Sequence, residues 1–197
     1  QRILASIKID GNQYDSVGIR YKGYSSVNIT QTKNPFNVKL DYIIDDQEHQ
    51  GYNKIKLSNC IHDPSFIREA LSYQIARKYM PSSKANFANL YINDTLWGLY
   101  SNVESVNKDF LSKHYQSRNN SFFKCNPSNL NLFGENSNLS LSLGNDSLSY
   151  ESFYTLKSDF GWSDLYNLMD TLNNFPSYIN QVLNVDRTLW MHAFNYS

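Results

Sequence analysis

The sequence predicts an α+β domain, with an antiparallel β-sheet and one packed helix followed by a mainly helical part. Short stretches of alternating apolar and polar residues fill the first part of the chain, as expected for half-buried strands. Helical spacing of apolar residues appears once among them, at residues 64–80, and returns from residue 162. We therefore expect one incomplete domain, with a β-rich half over residues 1–118 and a connecting segment and helical start over residues 119–197.

Four strands are expected before the predicted helix. Alternation marks the first three, a short apolar stretch marks the fourth, and turn residues such as Asp10-Gly11 separate them. The expected strands cover residues 3–9, 17–21, 36–40 and 52–57.

The predicted helix has clear start and stop signals. Asp63 can accept hydrogen bonds from free backbone amides, and Pro64 fits the first helical turn. Pro81 prevents the helix from continuing. One apolar face, which we expect to pack on the sheet, is formed by Ile67, Leu71 and Ile75.

A β-hairpin is expected at residues 87–103, where two apolar stretches meet at Asn93-Asp94. Asn and Asp tolerate the left-handed backbone of a tight turn. Gly98 interrupts the second stretch, which indicates a bulge or the close approach of another group. Glu104 follows directly, at the end of the sheet.

The rest of the chain is less regular. An Asn/Ser/Leu-rich segment covers residues 119–150, and alternation at Leu139, Leu141 and Leu143 favours one short strand in it. Two amphipathic helices follow, one from residue 162 and one that we expect Asp186 to cap.

Composition argues against some functions. The formal net charge is +0, which is unfavourable for general binding to nucleic acids or anionic membranes. No apolar stretch approaches the roughly 20 residues of a membrane-spanning helix, and no signal peptide is visible. Cys60 and Cys125 lack a metal-binding spacing, so we expect two buried free thiols, with a disulfide as the alternative.

Several motifs occur in an order that points to one family. They are Tyr21-Lys22-Gly23, Lys33-Asn34-Pro35-Phe36, Asp63-Pro64-Ser65 with Arg68, Gly98-Leu99-Tyr100, Val103-Glu104-Ser105-Val106, Phe122-Phe123-Lys124, and Val185-Asp186 with Leu189 and Ala193. Together they span nearly the whole chain, and the sequence resembles the CotH family of bacterial spore-coat and secreted atypical protein kinases.

This resemblance implies a nucleotide site. It places Lys33 on the ATP phosphates, with Lys22 as a second candidate, and Phe123 beside the adenine, where base–aromatic stacking contributes roughly 1–3 kcal/mol. Phosphoryl transfer needs cations around the phosphates, and the sequence offers a set along the first strands in which Lys39 is our reserve candidate: Arg20, Lys22, Lys33 and Lys39. The alternatives are solvent-facing lysines and an ordinary core Phe123.

Three further residues have two interpretations each. Glu104 ends the sheet where a nucleotide-binding hinge is expected, and it can equally cap the strand. Arg68 and Glu69 lie on the first predicted helix, where they form either an ion pair, lysine-orienting or structural, or a solvated helix face.

The activity implied by the resemblance is phosphorylation of serines on a serine-rich protein partner, with ATP and Mg²⁺ or Mn²⁺. The family's catalytic Asp and metal-binding motifs are expected beyond Ser197, so we expect this chain alone to be inactive. An extracellular, cell-surface or spore-coat location is implied, and the Asn-, Ser- and Tyr-rich composition agrees with it. The competing hypothesis is a non-catalytic, adhesin-like surface module; a carbohydrate-active enzyme is less favoured because paired carboxylates are not evident.

One tripeptide resembles a kinase motif but does not support a kinase assignment. Asp159-Phe160-Gly161 matches the magnesium-binding tripeptide of ordinary kinases. No HRD-type loop precedes it and no APE-like element follows it, so we interpret it as a chance match at the start of a helix.

Overall fold

The structure, a computed structural model, describes residues 1–23, 26–28, 30–126 and 137–196. Ser25, in a predicted loop, and residues 127–136 of the predicted connecting segment lie outside the described residues. The chain forms two compact units, Gln1–Val106 and Asn107–Ser197. The division that we predicted near residue 118 concerns kinase lobes and remains a prediction.

The first unit contains a six-stranded antiparallel sheet, which confirms the predicted fold class. Its strands are β1 (Ile3–Ile9), β2 (Asn12–Tyr21), β3 (Phe36–Lys39), β4 (Lys54–Ser58), β5 (Ala85–Ile92) and β6 (Thr95–Val103). Their order across the sheet is β1-β2-β3-β4-β6-β5. A helix, α1 (Arg68–Ala76), connects β4 to β5 and packs against β5 and β6.

The two faces of the sheet differ in polarity because side chains alternate along each strand. On one face Ile19, Val38 and Ile55 lie opposite one another on neighbouring strands. They belong to or pack against the buried cluster formed by Val17, Val38 and Leu40. The basic residues of β2, β3 and β4 therefore lie on the other face.

The β5–β6 hairpin forms as predicted. Asn93 and Asp94 both have a positive φ, 47° and 62°, as the tight turn requires. The register shifts between Leu90 and Tyr91, opposite Gly98, so the predicted irregularity is present. A Cβ on Gly98 would lie 3.5 Å from Cε of Lys33, which confirms that another group approaches this glycine closely.

Helix α1 is shorter than predicted. The helix begins at Arg68 rather than at residue 64, because the Asp63 carboxylate accepts hydrogen bonds from the backbone amides of Ser65 (3.1 Å) and Arg68 (2.8 Å). Such local bonds stabilise a turn in competition with a helix, and Phe66 within this turn has a φ of +63°.

The predicted packing of α1 was wrong in one respect. The face that we expected to be covered by the sheet is partly open, with exposed fractions of 51% for Ile67, 47% for Leu71 and 39% for Ile75. The buried residue of this helix is Ala76, so α1 contacts the sheet through a narrower part of its surface.

The described residues of the second unit form five helical elements besides a small sheet. Its helices are α2 (Lys108–Tyr115), α3 (Trp162–Asn174) and α4 (Val185–Tyr196), with 3₁₀ helices at Ser147–Tyr150 and Pro176–Gln181. Strands β7 (Phe123–Cys125) and β8 (Tyr154–Leu156) pair with each other. Its core consists of Tyr150, Tyr154, Leu165 and Met169.

Two sequence predictions in the second unit were wrong. Leu139, Leu141 and Leu143 form no strand; they pack against the core, and Leu139 has a φ of +61°. Asp186 lies in the first turn of α4, while Asn184 Oδ1 accepts the hydrogen bond from the Arg187 amide, at 3.0 Å.

The cysteines are both free, as expected, but neither is fully buried: Cys60 is half-buried and Cys125 is exposed. Among the helices of the described residues, none is both long and apolar enough to cross a membrane.

Candidate functional site

A cavity of about 280 Å³ lies at the end of β4. Ser58 ends this strand, the chain then turns, and α1 follows, so strand, turn and helix start form the wall together. The lining residues are Ser26, Pro35, Ser58, Asn59, Cys60, Ile61, His62, Asp63, Arg68 and Glu69. The cavity therefore combines hydroxyl, amide, carboxylate and guanidinium groups.

Lys22 contacts the wall of this cavity. Its Nζ donates a hydrogen bond to Ser58 Oγ at 2.7 Å, and Ser58 Oγ lies 3.5 Å from Glu69 Oε1, the limit of a hydrogen bond. Burial lowers the pKa of the Lys22 ammonium, and the Glu69 carboxylate partly offsets this effect. Lys22, Ser58 and Glu69 thus form a chain that fixes a partly desolvated cation.

Lys33 is held by aromatic rings. Its Nζ lies 4.3 Å from the ring centroid of Phe66 and 4.9 Å from that of Tyr100, within the range of cation–π attraction. Burial lowers the pKa of the Lys33 ammonium. Among the described residues, no carboxylate lies within salt-bridge distance of Lys33, so its charge is available to an anion.

The backbone around Lys33 is fixed by buried amides. Asn34 is 1% exposed, and its Nδ2 donates to the carbonyl oxygens of Asn28 (2.9 Å) and Gln31 (2.8 Å). Asn59 Nδ2 donates to the Lys33 carbonyl at 3.0 Å, and the Tyr100 hydroxyl donates to the Asn34 carbonyl at 3.1 Å. This rigid base positions the start of the Lys33 side chain beside the cavity wall.

The strand cations lie on one face of the sheet. In one row Arg20 and Lys56 flank Asn37, and in the next row Lys39 lies opposite Lys54. Lys22 follows two residues after Arg20, and Lys56 is close enough to Lys22 to feel its charge. We call this surface the basic face; it comprises Arg20, Lys22, Lys39, Lys54 and Lys56.

Arg68 and Glu69 do not form an ion pair with each other in the structure. Arg68 Nε lies 3.7 Å from Asp63 Oδ1, and its side chain is 72% exposed. Glu69 approaches Ser58 instead. Both residues line the cavity.

Glu104 closes the end of the β5–β6 pair. Its Oε2 accepts a hydrogen bond from the Lys84 amide at 2.8 Å, and its own amide donates to the Lys84 carbonyl at 2.8 Å. This is the geometry of a capping carboxylate. Its assignment to a nucleotide-binding hinge remains a prediction.

Phe123 begins β7 in the second unit. Its ring contacts Trp162 edge-on, with 5.1 Å between the ring centroids, and packs against the core cluster. A Cβ on Gly161 would lie 3.1 Å from the Phe123 ring. Gly161 is also the residue before α3. The role of Phe123 beside an adenine remains a prediction.

A family model identifies the family to which this chain belongs. The model of the family described as CotH kinase protein matches residues 19–196. The chain belongs to the CotH kinase family. Among curated proteins, no match was found.

Membership of the CotH kinase family implies, in general, the use of a nucleotide and a divalent metal. The described residues are suited to bind the nucleotide but not the metal. Lys22, whose ammonium contacts the cavity wall, and Lys33, whose carbonyl contacts it, carry the positive charge that suits the phosphate groups of a nucleotide. No group of three or more His, Cys, Asp or Glu among the described residues is arranged to hold a metal ion.

Sequence reasoning on this CotH-family chain missed Lys54, Lys56 and Ser58. The signal was present, because Lys54 and Lys56 alternate with Ile55 and Leu57 on β4. That alternation places both lysines on the face opposite the apolar core. What the sequence could not show is the pairing of β4 with β3, which brings these lysines next to Asn37 and Lys39.

Proposed function

We propose that this CotH-family domain binds ATP and serves the transfer of its terminal phosphoryl group to serines of a serine-rich protein partner. The observation that carries the proposal is a pair of lysines bonded to the cavity wall: the Lys22 ammonium donates to Ser58 Oγ, and the Lys33 carbonyl accepts from Asn59. The Lys33 ammonium itself lies over two aromatic rings. Mg²⁺ or Mn²⁺ bound with the nucleotide would supply further positive charge.

Charge around the phosphates is what such a reaction requires most. Catalysis of phosphoryl transfer depends mainly on positioning and on electrostatic stabilisation of the phosphoryl oxygens. Burial weakens the hydration of Lys22 and Lys33, so an anion that pairs with them replaces little water. In our proposal both lysines bind phosphate oxygens.

Glu69 has a positioning role in this proposal. Its carboxylate approaches Ser58 Oγ, and Ser58 accepts the hydrogen bond from Lys22. Because Glu69 belongs to α1, the helix controls the position of the Lys22 ammonium through a hydroxyl group.

The test is transfer of labelled phosphate from ATP, with Mg²⁺ or Mn²⁺, by the purified protein. We expect labelling of the protein itself or of a serine-rich peptide, with phosphoserine as the product. ATP binding is measured in parallel by calorimetry. Absence of both transfer and ATP binding would refute the proposal and leave the adhesin-like surface module as the function to pursue.

A further inference from the structure

The basic face carries more positive charge than its own carboxylates balance. Lys39 Nζ lies 3.8 Å from Asp41 Oδ1, and Lys22 is close to Glu69. No carboxylate of the described residues lies within salt-bridge distance of Arg20, Lys54 or Lys56. In a chain of zero net charge, this concentration of cations on one sheet face is a local feature.

The folded chain holds these cations at an electrostatic cost. Burial lowers the pKa of the Lys56 ammonium, and the positive charges of Lys22, Lys54 and Arg20 lower it further. Lys39 and Lys54 lie directly opposite each other, an arrangement in which like charges are destabilising. An anion bound across the face would relieve this repulsion.

A fixed guanidinium supports the middle of the face. Arg2 Nη1 donates to the carbonyl oxygens of Gly18 (2.7 Å) and Asn37 (2.8 Å), and Arg2 Nη2 donates to Asn37 Oδ1 at 2.6 Å. These bonds fix the Asn37 side chain between Arg20 and Lys56. They also connect β2 to β3 on the basic face. The cations therefore project from a rigid surface.

The face extends beyond the cavity that we assign to the nucleotide. Lys54 lies four residues from Ser58 along β4, or about 13 Å at about 3.3 Å per residue. Lys22 contacts the cavity wall, so the basic face starts at the proposed phosphate position and continues away from it. A second anionic group bound near Lys54 and Lys56 would be separate from the nucleotide.

We propose that the basic face binds an acidic segment of the protein substrate, rich in Asp, Glu or phosphoserine. This inference rests on the proposed kinase function, because it assigns the segment to the substrate of that reaction. The rows of cations are spaced by two residues along each strand, which suits an extended chain with repeated carboxylates or phosphates. Acidic groups near Lys54 and Lys56 would place a neighbouring serine toward Lys22 and the nucleotide.

A polypeptide fits the chain better than a nucleic acid. Proteins that bind nucleic acids neutralise many phosphates and are as a rule strongly basic, whereas this chain has a net charge of +0. The strand positions of the basic face hold Arg, Lys, Asn and Gly. The Tyr42 ring lies against Gly18 on the same face, but the strands themselves present no series of aromatic rings on which successive bases could stack.

The experiment measures binding of a fluorescent Glu/Ser peptide by anisotropy. The double variant Lys54→Gln, Lys56→Gln removes two cations of the basic face, and Lys78→Gln, Lys157→Gln removes two exposed lysines elsewhere. We expect the first pair to weaken binding by about tenfold and the second by less than about twofold. Thermal unfolding checks that each variant is folded, and Arg20→Gln serves as a second variant of the face.

Three results would overturn the inference: equal loss in both double variants, no binding of the acidic peptide by the parent protein, or tighter binding of a single-stranded oligonucleotide. Phosphate transfer from ATP is measured with the same samples. Transfer without an effect of Lys54→Gln, Lys56→Gln on peptide binding refutes the docking surface alone. If Lys54→Gln, Lys56→Gln weakens peptide binding, Lys78→Gln, Lys157→Gln does not, and the protein neither binds nor uses ATP, the kinase function is refuted and the docking surface is confirmed.

Discussion

At the level of single residues, Lys33 differs from an ordinary strand lysine. Its Nζ lies over Phe66 and Tyr100, and its stem passes Gly98. We expect Lys33→Ala to weaken ATP binding by about 1.5–3 kcal/mol, because it removes a charge-assisted contact. Calorimetry with ATP and Mg²⁺ measures this change.

The control for Lys33 separates charge from packing. Lys33→Met keeps an aliphatic stem beside Gly98 and removes only the charge, so it should lose nearly as much affinity as Lys33→Ala. Lys78→Ala, at an exposed position after α1, should bind ATP as the parent protein does. Unchanged affinity in both Lys33 variants would contradict the assignment.

Tyr100 gives the chain a defined pH dependence. Burial raises the pKa of its phenol to about 12, whereas an unfolded tyrosine titrates near about 10. The folded state therefore retains a proton that the unfolded state loses, and stability falls as the pH rises from about 10 to about 12.

Tyr100→Phe tests this dependence. Near neutral pH the variant should be less stable by about 1 kcal/mol, because the hydrogen bond to the Asn34 carbonyl is lost. It should also lack the alkaline decline that Tyr100 causes, so the difference between the two proteins narrows above pH of about 10. Urea unfolding at several pH values measures both effects, and a constant difference across pH would rule out the tyrosine as the cause.

Some site residues could be predicted from the sequence and some could not. Lys22 and Lys33 stand in recognisable motifs, and each contacts a residue of the cavity wall, Lys22 through its ammonium and Lys33 through its carbonyl. Their role at a nucleotide remains a prediction. Lys56 stands in no motif, and its surroundings depend on the pairing of β3 with β4. Local spacing identifies a residue's face on a strand, but strand order decides its neighbours.

At the level of elements, α1 shows where periodicity is insufficient. Ile67, Leu71 and Ile75 have the spacing of a buried face, yet they are half exposed. The start signal at Asp63 also belongs to a turn instead of a helix. The β5–β6 hairpin was predictable because Asn93-Asp94 fixes its turn locally, whereas the orientation of α1 depends on tertiary packing.

Two leucine variants test the orientation of α1. Leu40 is fully buried and Leu71 is about half exposed. Leu40→Ala should lower the free energy of unfolding by about 2–5 kcal/mol, and Leu71→Ala by about 1 kcal/mol or less. Urea denaturation measures both. A loss at Leu71 as large as that at Leu40 would show that the helix face is covered in solution.

The basic face predicts a conflict between stability and binding. Lys54 lies opposite Lys39, so Lys54→Glu replaces a like-charge pair by an opposite-charge pair and should raise the free energy of unfolding by about 0.2–1 kcal/mol. The same variant should bind the acidic peptide more weakly than Lys54→Gln does. Urea unfolding and anisotropy measure the two effects, and a destabilised Lys54→Glu protein would contradict the proposed repulsion.

At the level of the whole molecule, the described residues include a buried cluster in each of the two units. Val17, Val38 and Leu40 lie in the unit Gln1–Val106, whereas Tyr150, Tyr154, Leu165 and Met169 lie in the unit Asn107–Ser197. The sequence predicted the change from strands to helices but not the composition of the second core. That core contains two tyrosines, and Leu139 packs against it. Leu139 belongs to a segment whose alternation predicted a strand that does not form.

Because each unit has its own buried cluster, a substitution that destabilises one cluster should lower the local stability mainly of its own unit. Met169 is 1% exposed, and truncation of a buried methionine to alanine costs about 2–5 kcal/mol. Because local stability governs amide exchange, Met169→Ala should accelerate hydrogen exchange in residues 107–196 far more than in residues 1–106. Leu40→Ala provides the reciprocal control and should accelerate exchange mainly in the first unit. Equal acceleration in both units by either variant would mean that the chain unfolds as a single cooperative structure, and the two clusters would then act as one core.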